Sequence, residues 1–252
     1  MARIRIEDVS VDFPLYHGSA RSLKKTVFAA ASGRLGEDKR QRVVVQALRN
    51  VDIDLHSGER LGLVGTNGAG KTTLLRTVAG IYEPVRGRIR IDGSLNALLD
   101  PLLGMNNELT GRENIMLRGL YNGFTKGEIR AMEDDVQDFA ELGEFLDLPV
   151  RFYSSGMVIR LGFALATCIR PEVLLMDEWF LAGDANFMAK AKLRLENVVR
   201  GAEIMVLSSH QSDAILNWCN RVIWMDHGRV VMDGAAPAVM ESYLAGTVPA
   251  VA

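Results

Sequence analysis

The sequence is short of the features that take a chain out of ordinary globular chemistry. It has 2 cysteines in 252 residues, Cys168 and Cys219, with no CxxC pair and no Cys/His cluster beside either. That excludes a disulfide framework and a cysteine zinc site, and leaves two buried, reduced thiols as the expectation. Long apolar runs are missing too: the stretch Leu161 to Ile169, between Arg160 and Arg170, is far short of the roughly 20 residues a membrane helix needs. The start, Met-Ala-Arg-Ile-Arg-Ile-Glu, alternates apolar and charged side chains and lacks the apolar core of a secretory leader, so the chain is expected to stay in the cytoplasm. Net charge is only -2, with a pI of about 6.1, so no global basic surface is available for nucleic acid.

What is present is the material of a substantial core, 48% hydrophobic and 24% charged, without repeats or low-complexity segments. Residues 2–12 and 43–64 read as strands, from Val43-Val44-Val45, the alternation Val51-Asp52-Ile53-Asp54-Leu55, and the apolar run Leu61 to Val64. Between them, residues 17–42 form a basic insertion carrying Arg21, Lys24, Lys25, Arg34, Lys39, Arg40 and Arg42 against Glu37 and Asp38. A short helix is expected there near Ser19 to Ala31, with Leu23, Val27 and Ala30 on one face. Further on, strands are expected around Arg88 to Ile91 and Ala97 to Leu99, and a helical region from Gly111 to Leu148. A helix from Ser155 to Ile169 then leads into a buried strand, Val173 to Met176, and another helix precedes the strand Ile204 to Leu207. Ile223 to Val231 reads as a hairpin, and a last helix covers Ala236 to Leu244. Strands alternating with helices predict an α/β fold built on a mainly parallel sheet.

Gly65-Thr66-Asn67-Gly68-Ala69-Gly70-Lys71-Thr72 matches GxxxxGK(S/T), directly after an apolar strand and before a helical run. Glycines let the backbone wrap an anion with its N–H groups inward, and the helix beginning near Lys71 adds its positive end. Lys71 supplies charge for β- and γ-phosphates, and the Thr72 hydroxyl is suited to ligate magnesium. A second strand, Val173 to Met176, ends on adjacent carboxylates: Asp177 suits the magnesium shell, and Glu178 suits a general base for the attacking water. His210, beyond the third strand and Ser208-Ser209, is a candidate contact to the γ-phosphate.

Tyr153-Ser154-Ser155-Gly156-Met157, upstream of Asp177, resembles the LSGGQ signature of ABC ATPases, and the resemblance covers nearly the whole chain. A Ser hydroxyl and Gly N–H at a helix start make a second anion cradle, and the same serines can cap the helix. The resemblance implies a P-loop ABC ATPase: a mainly parallel sheet core, an antiparallel β subdomain and an α-helical subdomain. It implies one nucleotide-binding domain over residues 2–247, with the helical subdomain near 111–170 and the insertion at 17–42. ATP and Mg2+ are the implied cofactors. Gly65 to Thr72 with Thr73 would hold the phosphates, Thr72 and Asp177 the metal, Glu178 would be the catalytic base and His210 the switch histidine. Asp184 matches the D-loop acid, and Ser154, Ser155 and Gly156 would reach ATP held by a second copy in a head-to-tail sandwich dimer.

Three variations, YSSGM, AGDANF at 182–187 and ELTGREN at 108–114, are similar to the bacterial polysaccharide exporters' ATPases, which serve O-antigen, capsule, teichoic acid or galactan chains. This implies a separate transmembrane permease in two copies, a polysaccharide cargo carried by that permease, and a peripheral position on the cytoplasmic face of the inner membrane. Where the family keeps a glutamine this chain has Asp100 or Pro101, with Asp100 the substitute. No aromatic stands at the adenine-stacking position near Arg42, so that contact falls to Tyr16 or to the Arg42 guanidinium plane. The apolar segment Leu98 to Met105, with Leu102, Leu103 and Met105, is the expected permease contact, and no carbohydrate-binding domain is expected after the last helix. The competing reading, a soluble ABC ATPase acting on nucleic acid or ribosomes, normally needs two ATPase halves, a long coiled coil or a basic surface, none of which is evident.

Overall fold

The computed structural model describes residues 1–14, 35–37, 43–100, 104–178 and 185–247. The expected helix at 19–31 and the residues Tyr16, Arg42, Pro101, Leu102, Leu103 and Asp184 lie outside these described residues. By contacts the chain divides into two compact units, residues 1–95, 175–178 and 203–252, and residues 96–174 with 179–202.

In the first unit, β1 (Arg3–Pro14), β2 (Leu35–Glu37), β3 (Val43–His56) and β5 (Arg86–Asp92) make an antiparallel sheet in the order β2-β3-β1-β5. Alternation buries Ile4 and Ile6 on one face of β1, while Arg3 on the other face pairs with Asp54. Simple alternation would then turn Val9 and Val11 outward. A register shift between Ile6 and Val9, around Asp8 with φ 50°, changes the parity, and both valines are buried. Asp8 accommodates the left-handed backbone as a short polar residue, and its N–H is held by the Asp52 carboxylate at 2.8 Å.

The second sheet of this unit places β4 (Arg60–Val64) between β8 (Ile204–Ser208) and β9 (Arg221–Asp226), parallel to both, with β7 (Val173–Asp177) beyond β8 and β10 (Arg229–Ala235) beyond β9. Every residue of β7 and β8 is buried, as strands covered on both faces require. Helix α1 (Lys71–Val78) follows β4 and packs on β8 and β3, and its Leu74, Leu75 and Val78 are buried. The antiparallel β9–β10 pair turns through His227 (φ 47°) and Gly228 (φ 78°), the two left-handed residues of a tight hairpin.

The second unit opens with β6 (Leu95–Leu98) and holds α2 (Gly111–Tyr121), α3 (Lys126–Ala140), α4 (Ser155–Thr167) and α5 (Ala185–Gly201). Both α2 and α3 start with a capping box, Thr110 with Glu113 and Thr125 with Glu128. The helical region expected over 111–148 is made of these two helices, separated at Asn122 to Thr125, and a 3-10 turn over Gly143–Asp147. Phe139, Phe163 and Phe187 meet with centroids 5.6 to 6.0 Å apart, and the Arg194 guanidinium lies 4.3 Å over Phe139.

The first unit closes with α6 (Ser212–Trp218) and α7 (Ala236–Ala245), the latter ended by Gly246 at φ 66°. Among the described residues no helix is long and apolar enough to cross a membrane, and no His, Cys, Asp or Glu cluster could hold a metal ion by itself. Cys219 is buried, whereas Cys168 is only half-buried, which corrects the expectation of two buried thiols; both are free. Burial pushes the Cys219 thiol up to about 12 and that of Cys168 to about 11, so both stay protonated and unreactive at neutral pH.

Candidate functional site

The loop after β4 depends on its glycines for different reasons. Gly65 has φ 145°, and a Cβ there would lie 2.2 Å from the Met225 carbonyl oxygen. Gly70, at φ 112°, would press a Cβ to 3.0 Å from the Ala47 oxygen. The loop is therefore clamped between β3 and the β9–β10 hairpin. Gly228, at the hairpin tip, donates its N–H to Ala69 O at 2.8 Å, and its own oxygen accepts from Arg49 N. Thr66, Asn67 and Gly68 form an exposed rim over the buried Ala69.

Helix α1 begins at Lys71 with no side-chain cap and no acidic residue in its first turn. Its leading N–H groups and positive end are left to an external anion. Lys71 is buried, and its Nζ donates to Gly65 O at 2.6 Å and to Thr66 O at 3.3 Å. Burial lowers the Lys71 pKa, and the charges of Asp177 and Glu178 act in the opposite direction. An arriving phosphate would join those carboxylates in favouring the charged ammonium. Thr72 is exposed beside it, and Thr73 is half-buried.

Asp177 ends β7 as a buried carboxylate, and Glu178 turns out to solvent with φ 45°. A left-handed backbone at a glutamate is uncommon, and here it is held by the Glu178 N–H donating to Ser208 O at 2.8 Å. His210 Nε2 stands 3.2 Å from Glu178 Oε1. Within the first unit the phosphate loop, Lys71, Asp177, Glu178 and His210 thus come together at the ends of β4, β7 and β8, where parallel sheets gather ligands.

In the second unit Ser154 caps α4, its Oγ accepting from Met157 N at 3.3 Å, and Ser155 is the first helical residue. A Cβ on Gly156 would meet nothing nearer than Ser154 Oγ at 3.9 Å. Asp100 lies exposed on a cleft with Gly104, Met105, Asn114 and Arg118. Asn114 closes the floor of that cleft, its amide donating to Asn106 O and Thr110 O and accepting from Asn106 N. Three contributors to these sites have little or no signal in the sequence: the hairpin buttress at Gly228, the Asn114 clamp and the buried Ser208 hydroxyl. Only a His-Gly turn and an Asn in a helical run were visible for the first two.

The family model described as "ABC transporter" matches residues 48–181. An O-antigen export system ATP-binding protein, RfbE of Yersinia enterocolitica, is 42% identical over 231 residues, 91% of this chain and 97% of that protein. A teichoic acids export ATP-binding protein, TagH of Lactococcus lactis, is 36% identical over 213 residues, 84% of this chain but 46% of that longer protein. Among solved structures, an ATP-binding cassette captured as a dimer in a post-hydrolysis state with ADP and Pi superposes with a TM-score of 0.66 at 18% identity, covering 92% of this chain and 98% of that one. With the phosphate loop, the paired carboxylates and the matched model in one chain, this protein belongs to the ABC transporter family.

Proposed function

We propose that the chain is the ATP-hydrolysing subunit of an exporter that moves a lipid-linked polysaccharide across the bacterial cytoplasmic membrane through a separate permease. The observation that carries the proposal is the uncapped start of α1, with buried Lys71 behind it and the Glu178–His210 pair in front, in a chain 42% identical to an O-antigen export subunit. The export names of the relatives favour this reading over one on nucleic acid or ribosomes.

Gly65 to Thr73 would cradle the phosphates of ATP, with Lys71 as the fixed charge. The donor set fits magnesium: a hydroxyl at Thr72 and a carboxylate at Asp177 are hard oxygen ligands, few in number, as befits an ion held partly by phosphate and water. Bound there, the ion would neutralise charge on the β- and γ-phosphates. Glu178 takes a proton from a water as that water's oxygen bonds to the γ-phosphorus. The bond to the β–γ bridging oxygen breaks, and ADP and phosphate leave. His210, 3.2 Å from Glu178, would orient that carboxylate and reach the γ-phosphate.

Ser154, Ser155 and Gly156 of one copy would cover the ATP of a second copy, with Asp184 at the same junction. Two permease chains would complete the assembly and hold this subunit on the cytoplasmic face. The domain organisation that accompanies this reading is one nucleotide-binding domain over residues 2–247, with Met105 in the permease contact and Asp100, in place of the family glutamine, linking that contact to the nucleotide. Tyr16 or Arg42 remains the adenine partner.

The test is complementation. Cells lacking the chain should retain their polysaccharide inside, and the wild-type chain, but not Glu178→Gln, should restore it to the surface. Purified Glu178→Gln should bind ATP normally and hydrolyse it at least about 100-fold more slowly, because only the proton acceptor is lost. Normal surface polysaccharide with Glu178→Gln would sink the proposal.

A further inference from the structure

Ser208 carries a hydroxyl that the fold does not use. It is 1% exposed, and among the described residues its Oγ has no hydrogen-bond partner, although hydroxyl rotors usually find one. Leaving a buried hydroxyl unpaired is costly, so the position calls for an explanation in what the site binds.

Strand geometry says where the hydroxyl faces. Gly62 lies against Ile215 of α6, so the alternate residues Leu61 and Leu63 face the other side of the sheet. In register with them on β8 are Val206 and Ser208, and α1 packs on β8. Because β4 and β8 are parallel and α1 starts just beyond β4, the first turn of α1, with Lys71 and Thr72, stands at the Ser208 end. On the other flank β7 neighbours β8 and connects to it through α5, the connection of a parallel pair. The bond from Glu178 N to Ser208 O then sets Asp177 level with Ser208, and residues level with each other in a sheet point to one face. The unpaired hydroxyl therefore sits between the Asp177 carboxylate and the first turn of α1, at the corner assigned above to the divalent cation.

We propose that Ser208 is a positioning residue for that cation: once ATP and Mg2+ are bound, its hydroxyl hydrogen-bonds Asp177 or a water of the ion's shell, fixing the carboxylate that faces the ion. This rests on the reading of the site as an Mg2+–ATP site. A hydrated Mg2+ keeps most of its waters and demands near-ideal geometry, so an outer partner that orients one carboxylate matters to its affinity.

The experiment uses the full chain carrying Glu178→Gln, so that ATP is bound and not consumed. ATP affinity is measured with excess Mg2+ and again in EDTA, with and without Ser208→Ala, alongside the melting temperature of the nucleotide-free protein. Ser208→Ala should leave the nucleotide-free melting temperature unchanged or raised, since it removes an unsatisfied group. It should leave affinity in EDTA unchanged and cut the Mg2+-dependent gain in affinity about tenfold, the lower end of what outer-sphere partners contribute. Ser208→Thr should restore that gain. A lowered melting temperature in Ser208→Ala would assign the hydroxyl to the resting fold and overturn the proposal, as would an undiminished Mg2+ gain. If the Glu178→Gln parent itself gains nothing from Mg2+, the failure lies with the Mg2+–ATP reading and not with Ser208 alone.

Discussion

Two helix starts in this chain carry glycine and a hydroxyl residue, and they are built on opposite terms. At α1, Gly65 and Gly70 sit in left-handed backbone, a Cβ at Gly65 would strike the Met225 carbonyl, and no side chain caps the helix. At α4, Ser154 caps its own helix, and Gly156 has ordinary backbone and open space around it. The first glycines are demanded by the chain that contains them. Among the described residues nothing demands a glycine at 156, and the room beside it suits a group brought by another molecule. The difference teaches how to separate a cradle complete within one subunit from a surface that a second subunit would complete.

The comparison breaks most visibly at Gly65. Gly65→Ala should cost more than about 2 kcal/mol of stability and abolish ATP binding, because the loop must leave Met225 and its backbone must abandon φ 145°. Chemical denaturation and nucleotide titration read both effects, and a variant that folds and binds like wild type would show that the loop yields more easily than its contacts suggest. Gly156→Ala should do the reverse. Its stability should stay within about 0.5 kcal/mol of wild type, while ATP-driven dimerisation, followed by size-exclusion in the Glu178→Gln background, should weaken about tenfold. Unchanged dimerisation would leave Gly156 without the role assigned to it. Ser154→Ala sharpens the same contrast at smaller scale: losing the cap to Met157 N should cost about 1 kcal/mol, with ATP binding to the isolated monomer unaffected. If melting does not move at all, the 3.3 Å cap contributes nothing to the helix.

Legibility followed distance along the chain. The phosphate loop could be read because its residues are contiguous, and the pairs at Asp177-Glu178 and Ser209-His210 could be read because each ends an apolar strand. The capping boxes at Thr110 and Thr125 are also local, three residues across, and they divide the helical region expected over 111–148 into separate helices at Asn122 to Thr125. The strand expected at Ala97 to Leu99 runs instead over Leu95–Leu98, and the helix expected to reach Ile169 stops at Thr167, whose hydroxyl turns back onto Phe163 O. Element ends are settled by such partners, which a period of apolar residues does not name.

By itself the sequence determined the alternation of strands and helices, the anion cradle and the carboxylates beside it, since each rests on backbone preferences and charges within a few residues. The tertiary structure alone decided which far parts meet: that Gly228 would fasten Ala69 from 159 residues away, that the parity shift at Asp8 would keep Val9 and Val11 inside, and that Asp177 would stand level with Ser208. Those outcomes depend on strand register, and register is a sum over two whole faces of packed side chains and not a property of any one segment.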